Sequence, residues 1–261
     1  MLKQRIITAV VALAALGVVL FVLPPFAAEF VIALVVMAGA WEWSAFLEPK
    51  GVLVRIVYVS LIAACMAAVN LGWPATVMPV LGLALAWWVL ALGWTFLFPT
   101  PIPQACRWLA GAFVLVPFYA ALVMLYELSP SLLLFALLIV WAADIGAYFT
   151  GKRFGRVKLA PKISPGKTWE GVIGGLVLVA AVTLARSFWI ESDLPALVPF
   201  CLAVAGLSVV GDLTVSMFKR TAGMKDSGTL FPGHGGVLDR IDSVSAAAPL
   251  FALGLPWLGL T

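Results

Sequence analysis

Residues 131–150 read SLLLFALLIVWAADIGAYFT. The stretch holds a single charged residue, Asp144, and has no proline. A hydrocarbon core about 30 Å thick needs roughly 20 apolar residues per helix, so this run is long enough to cross a membrane. Period-2 alternation is missing, which excludes a strand of a membrane barrel. A charge at mid-helix costs about 2.5–3.5 kcal/mol by insertion scales, and such residues face a cavity and have partners. One segment therefore points to a fold class and to a candidate site.

Working outward, eight more apolar runs appear at about 6–23, 26–47, 54–72, 75–98, 108–126, 171–190, 195–216 and 244–260. Turn formers separate many of them: Leu23-Pro24-Pro25, Pro49-Lys50-Gly51, Gly72-Trp73-Pro74, Pro99 to Pro103 and Ser129-Pro130. Over 261 residues the chain is 64% hydrophobic and only 11% charged. An average soluble domain is about a quarter charged. The balance excludes a soluble enzyme, a disordered protein and a nucleic-acid-binding domain, despite a pI of 9.1. Cys65, Cys106 and Cys201 lie far apart without a CxxC pair, so they make neither a disulfide framework nor a zinc site. The expected fold is all-α, a polytopic transmembrane bundle of about nine spans.

Basic residues test that count, because Lys and Arg favour cytoplasmic loops. With a cytoplasmic N-terminus carrying Lys3 and Arg5, nine alternating spans also place Lys50, Arg55, Arg107, Lys152 to Lys167 and Lys219 to Arg240 inside. Of the 16 basic residues only Arg186 falls toward the outer side, where Glu29, Glu127, Glu191 and Asp193 lie. The C-terminus is expected outside. The first run is longer than a signal-peptide core and reads as a retained anchor. Residues 1–130 form an N-terminal scaffold of five lipid-facing spans. Residues 131–261 form a catalytic region of four spans with cytoplasmic loops 151–170 and 217–243.

Within the scaffold, Glu42 sits between Trp41 and Trp43 and reads as an interfacial carboxylate beside Lys50. The second half is richer. Asp144 and Asp212 fall inside apolar runs, one to two turns from their cytoplasmic ends. Asp239 and Asp242 precede the last run at an i, i+3 spacing that puts both on one helix face. Asp226 adds a fifth acid. At an effective dielectric of 20, like charges 4 Å apart repel by about 4 kcal/mol, so protons or cations must compensate. An all-oxygen donor set suits Mg²⁺, with room for a second cation, and makes Asp144, Asp212, Asp239 and Asp242 the candidate ligands.

Basic residues gather beside these acids. Loop 152–167 carries Lys152, Arg153, Arg156, Lys158, Lys162 and Lys167 with no acid among them. Lys152 and Arg153 are assigned to topology and anionic lipid. The run Ile163-Ser164-Pro165-Gly166-Lys167-Thr168-Trp169-Glu170-Gly171 is specific turn chemistry leading into a helix, a cradle for phosphate. It is not a Walker A loop, since Pro161 stands where that motif needs Gly. The second loop sets Lys219, Arg220, Lys225 and Arg240 among glycines, with His234 between Gly233 and the pair Gly235-Gly236. Phosphate chemistry on a lipid at one membrane face is the reading.

The run from Ser216 through Lys219-Arg220, Lys225-Asp226, His234-Gly235-Gly236 and Asp239-Arg240-Ile241-Asp242 closely resembles the signature of the phosphatidate cytidylyltransferases, or CDP-diacylglycerol synthases. Asp144 with Gly146-Ala147-Tyr148, Leu159 to Pro165 and Lys167 to Gly171 resemble the same family, and Gly166 stands where relatives often carry a second lysine. The likeness covers residues 141–243. It implies transfer of CMP from CTP to phosphatidic acid at the cytoplasmic face of the cell (inner) membrane, with Mg²⁺ and in a possible homodimer. It assigns catalysis to Lys167, Lys219, Arg220, Lys225, Asp226 and Arg240. Substrate binding falls to Ser164, Lys167, Thr168, Lys219, Arg220, His234, Gly235 and Gly236. A phosphate nucleophile needs no general base at neutral pH. The alternatives are a CTP-dependent polyprenol-type lipid kinase, against which the 216–242 run argues, and a cation-coupled transporter.

Overall fold

A computed structural model describes residues 2–190, 193–228 and 235–259. Among them the chain forms nine α-helices: α1 (Leu2–Phe21), α2 (Pro25–Trp43), α3 (Val52–Leu71), α4 (Val77–Leu97), α5 (Gln104–Leu128), α6 (Pro130–Phe154), α7 (Trp169–Arg186), α8 (Leu194–Thr221) and α9 (Leu238–Gly254). One short hairpin, β1 (Lys158–Ala160) and β2 (Ser164–Thr168), precedes α7. The architecture is an all-α polytopic membrane bundle. Helices α2 to α8 are long and apolar enough to cross a bilayer. The described apolar part of α1 is Val10–Phe21, and α9 has 17 residues.

Local chemistry sets several boundaries. Pro25 and Pro130 open α2 and α6, where a missing N–H costs nothing. The Ser129 side chain caps α6 by accepting from the Ser131 amide, and Thr168 caps α7 by accepting from the Gly171 amide. Helices α6 and α8 run further than their apolar cores, to Phe154 and Thr221. Lys152, Arg153, Lys219 and Arg220 are therefore last-turn residues of helices rather than loop residues. Cations at a helix C-terminus also suit its dipole. Asp144 and Asp212 consequently lie between two and three turns from those ends, deeper than the apolar runs imply.

Outer faces are apolar, as a lipid-facing surface requires: Leu53, Val89, Leu90 and Phe96 are all exposed. The centre belongs to α5 and α9, whose residues are buried on most sides. Helix α9 packs against α5 and α4 as well as α8, so both halves of the chain build its surroundings. The closest approach is between α6 and α7, where Gly171 and Gly175 form a GxxxG pair. A Cβ on Gly146 would sit 2.6 Å from the Gly174 carbonyl oxygen, so only glycine fits. That contact brings Asp144, on α6, next to the hairpin that leads into α7.

Candidate active site

Three elements meet around one cavity of about 480 Å³: α6, the β1–β2 hairpin running into α7, and α8. Its polar lining is Asp144, Lys152, Ser164, Lys167, Thr168 and Asp212. The hairpin is held from both sides. The Glu170 carboxylate accepts from the Val157 amide at 3.1 and 3.2 Å, and the Trp169 amide donates to the Val157 carbonyl at 3.0 Å. At the turn, Arg220 Nε donates to the Ile163 carbonyl at 3.1 Å, tying the hairpin to the end of α8.

Two lysine–carboxylate pairs dominate the electrostatics. Lys167 Nζ, on β2, meets Asp212 Oδ2 at 2.5 Å, with both side chains about a quarter exposed. Ser216, one turn further along α8, donates to Asp212 Oδ1 at 3.1 Å. Lys219 Nζ meets Asp239 Oδ1 at 2.7 Å, and here both side chains are only 10% exposed. Asp239 Oδ2 accepts the Ser227 amide at 2.9 Å and the Gly236 amide at 3.0 Å. Asp212, Ser216 and Lys219 recur at i, i+4 and i+7, so they share one face of α8 and join the two pairs into a single polar track.

The other expected residues divide. Asp144 opens onto the cavity, within electrostatic range of Lys167, Asp212 and Arg240. Asp242 is buried in α9, accepts the Ser243 amide at 2.8 Å, and lies within range of Asp212, Lys219 and Lys167. Ser164 lines the cavity, and the Thr168 hydroxyl oxygen is engaged as the cap of α7. Gly235 has φ +80°, a conformation that favours glycine, and the Gly236 amide is committed to Asp239. Arg220 and Arg240 are exposed at the ends of α8 and α9. Lys225 and Asp226 are exposed on the connecting loop. His234 lies outside the described residues.

Two features depart from the sequence reading. Lys152, assigned there to lipid and topology, lines the cavity, with Nζ 5.6 Å from the Tyr148 ring centroid. Glu42 is not an interfacial carboxylate beside Lys50. It is buried, and it binds the loop between α8 and α9. A lone acid inside an apolar run was the available signal, the same one that marks Asp144 and Asp212.

Among the described residues no three His, Cys, Asp or Glu side chains are grouped closely enough to hold a metal ion alone. Mg²⁺ does not require such a group, since one or two carboxylates with substrate phosphates and water complete its shell. Asp144 and Asp212, which line the cavity together, supply the hard oxygen donors that suit that ion. An apolar groove of about 680 Å³, between α4, the hairpin and α8, shares Val172 and Val209 with the polar cavity and carries Lys162 on its wall.

A helical membrane bundle in which ammonium groups, carboxylates and a capped hairpin surround one cavity is an integral-membrane protein suited to phosphate groups. The chain belongs to the cytidylyltransferase family, whose model matches residues 3–257. It is similar to a phosphatidate cytidylyltransferase of Pseudomonas aeruginosa, 46% identical over 97% of this chain and 96% of that protein. A phosphatidate cytidylyltransferase of Haemophilus influenzae is 39% identical over 97% and 98%. One from Brucella suis is 46% identical over 46% of this chain and 45% of its own length.

Proposed function

We propose that the cavity between α6, the hairpin and α8 transfers CMP from CTP to phosphatidic acid, giving CDP-diacylglycerol and pyrophosphate. The observation that carries this reading is the Lys167–Asp212 pair on a polar cavity that shares a wall with an apolar groove. A phosphate oxygen of the lipid attacks the α-phosphorus of CTP, the bond from that phosphorus to the β-phosphate oxygen breaks, and pyrophosphate leaves. Both reactants are anions, so positioning and charge neutralisation supply most of the catalysis.

Lys167 and Lys219 are flexible point charges whose ammonium groups can pass from Asp212 and Asp239 to phosphate oxygens. The Asp212 carboxylate released in that exchange, with Asp144 beside it on the cavity wall, would hold Mg²⁺. When bound, that ion would neutralise the triphosphate and the pyrophosphate as it departs. Ser164 and the hairpin backbone orient the phosphates, and Arg220 holds the hairpin against α8. The apolar groove takes an acyl chain, because it adjoins the cavity through Val172 and Val209 and keeps Lys162 beside the head group.

The distribution of basic residues supports nine spans with a cytoplasmic N-terminus, an outer C-terminus and a site at the cytoplasmic face of the cell membrane. A homodimer is proposed on family membership alone. The test of the reaction is purified protein in detergent with phosphatidic acid, Mg²⁺ and CTP labelled at either the α or the γ phosphate. Label in lipid from the α position alone is expected. Label from the γ position would indicate a lipid kinase.

A further inference from the structure

Glu42 belongs to no motif of the second half of the chain, yet its residue is only 7% exposed. It stands near the end of α2 and accepts three hydrogen bonds from residues almost 200 positions away. Oε2 accepts from the Ser227 hydroxyl and the Leu238 amide, both at 2.8 Å, and Oε1 accepts from the Val237 amide at 2.9 Å. Acceptor-only bonding is what a carboxylate provides, and such charge-assisted bonds are among the stronger ones in proteins. Gly228 and Gly236 pass so close that a Cβ on either would overlap the Glu42 carboxylate.

The same short segments also bind Asp239. Ser227 gives its hydroxyl to Glu42 and its amide to Asp239. Gly236 gives its amide to Asp239, and the next two amides go to Glu42. Trp43 packs its ring 5.1 Å from that of Phe218, the residue before Lys219. Consecutive residues of α2 thus hold the segment around Asp239 and the helix end that carries Lys219.

We infer that Glu42 is a positioning residue for the transfer reaction, fixing the Lys219–Asp239 pair through the loop between α8 and α9. The inference rests on the reading of that pair as part of the phosphate-transfer site. Gln at this position keeps the size but turns an amide N–H₂ toward either the Val237 or the Leu238 N–H, and one donor loses its acceptor. Ser227→Ala removes one bond to Glu42 and leaves the Ser227 amide on Asp239.

The experiment compares purified Glu42→Gln, Ser227→Ala and Asp239→Asn with the parent protein. It measures the transfer rate per folded molecule at saturating substrates, thermal unfolding in detergent, and hydrogen exchange at the amides of residues 227 and 236–238. For Glu42→Gln the rate per folded molecule should fall about tenfold or more, and for Ser227→Ala severalfold, as loss of one buried bond implies. Exchange should quicken at those amides and not in α3 or α7. If Glu42→Gln does not fold, Ser227→Ala carries the comparison. Parental rates and parental exchange in the variants that fold, beside an inactive Asp239→Asn, would leave Glu42 with a structural role only. A near-normal Asp239→Asn would remove the pair from the site, and the inference with it.

Discussion

Asp239→Asn perturbs the Lys219–Asp239 pair with the least change of shape. The asparagine oxygen can keep the Ser227 and Gly236 amides, but its nitrogen then faces the Lys219 ammonium in place of the oxygen now 2.7 Å away. Each side chain of the pair is 10% exposed, so water has little access to the stranded charge. Removing one partner of a buried ion pair costs about 3–5 kcal/mol. For a chain of this size that corresponds to a fall in melting temperature of roughly 6–20 °C. Lys219→Met in the same chain removes the stranded ammonium, and the double variant should melt higher than Asp239→Asn alone. Thermal unfolding of the purified variants in one detergent measures this. A double variant that melts as low as the sum of the two single losses would mean that the two side chains are not coupled and that burial strands no charge.

Other consequences can be checked separately. Reporter fusions after Lys50, Ser129, Lys158 and Asp193 should read inside, outside, inside, outside, and an outside signal at Lys158 would defeat both the topology and the placement of the site. Lys167→Gln should lower activity at least tenfold because its ammonium is half of a cavity-facing pair. Arg153→Gln, exposed in the last turn of α6, should do much less, and equal small effects would return both residues to lipid contact. Gly146→Ala forces a methyl to within 2.6 Å of the Gly174 carbonyl oxygen and should cost about 1–3 kcal/mol, read as a lower melting temperature. Gly82→Ala, with open space around its position, should show no such loss.

The apolar runs made the helices legible, because a bilayer sets both length and polarity and leaves little else to decide. The acids at Asp144 and Asp212 were legible for the same reason, since charge inside such a run requires a partner. Helix ends were less so. Lys219 and Arg220 look like loop residues after an apolar span, but α8 continues through them because the site, not lipid, surrounds that end. The hairpin left little trace, since three- and five-residue strands rich in Lys, Pro and Gly show no alternation. The setting of Glu42 is hidden in the sequence for a different reason. Flanking tryptophans mark an interface, and Trp41 is indeed exposed with Arg55 over its ring. Trp43 is fully buried, donating to the Arg107 carbonyl of α5 and packing on Phe218 of α8, and only that tertiary packing separates the two environments.

On the proposed mechanism the Lys167–Asp212 and Lys219–Asp239 pairs carry the transfer. Asp212 tests it most directly, because it lines the cavity, meets Lys167 and shares a helix face with Lys219. The measurement is the rate of label transfer from α-labelled CTP to phosphatidic acid by purified Asp212→Asn across a Mg²⁺ titration, with folding verified by its melting curve. The rate should be lowered by more than about 100-fold at every Mg²⁺ concentration in a folded protein, since an asparagine carbonyl brings no negative charge to a hard cation or an ammonium. A folded Asp212→Asn that works at a near-parental rate in ordinary Mg²⁺ would contradict it.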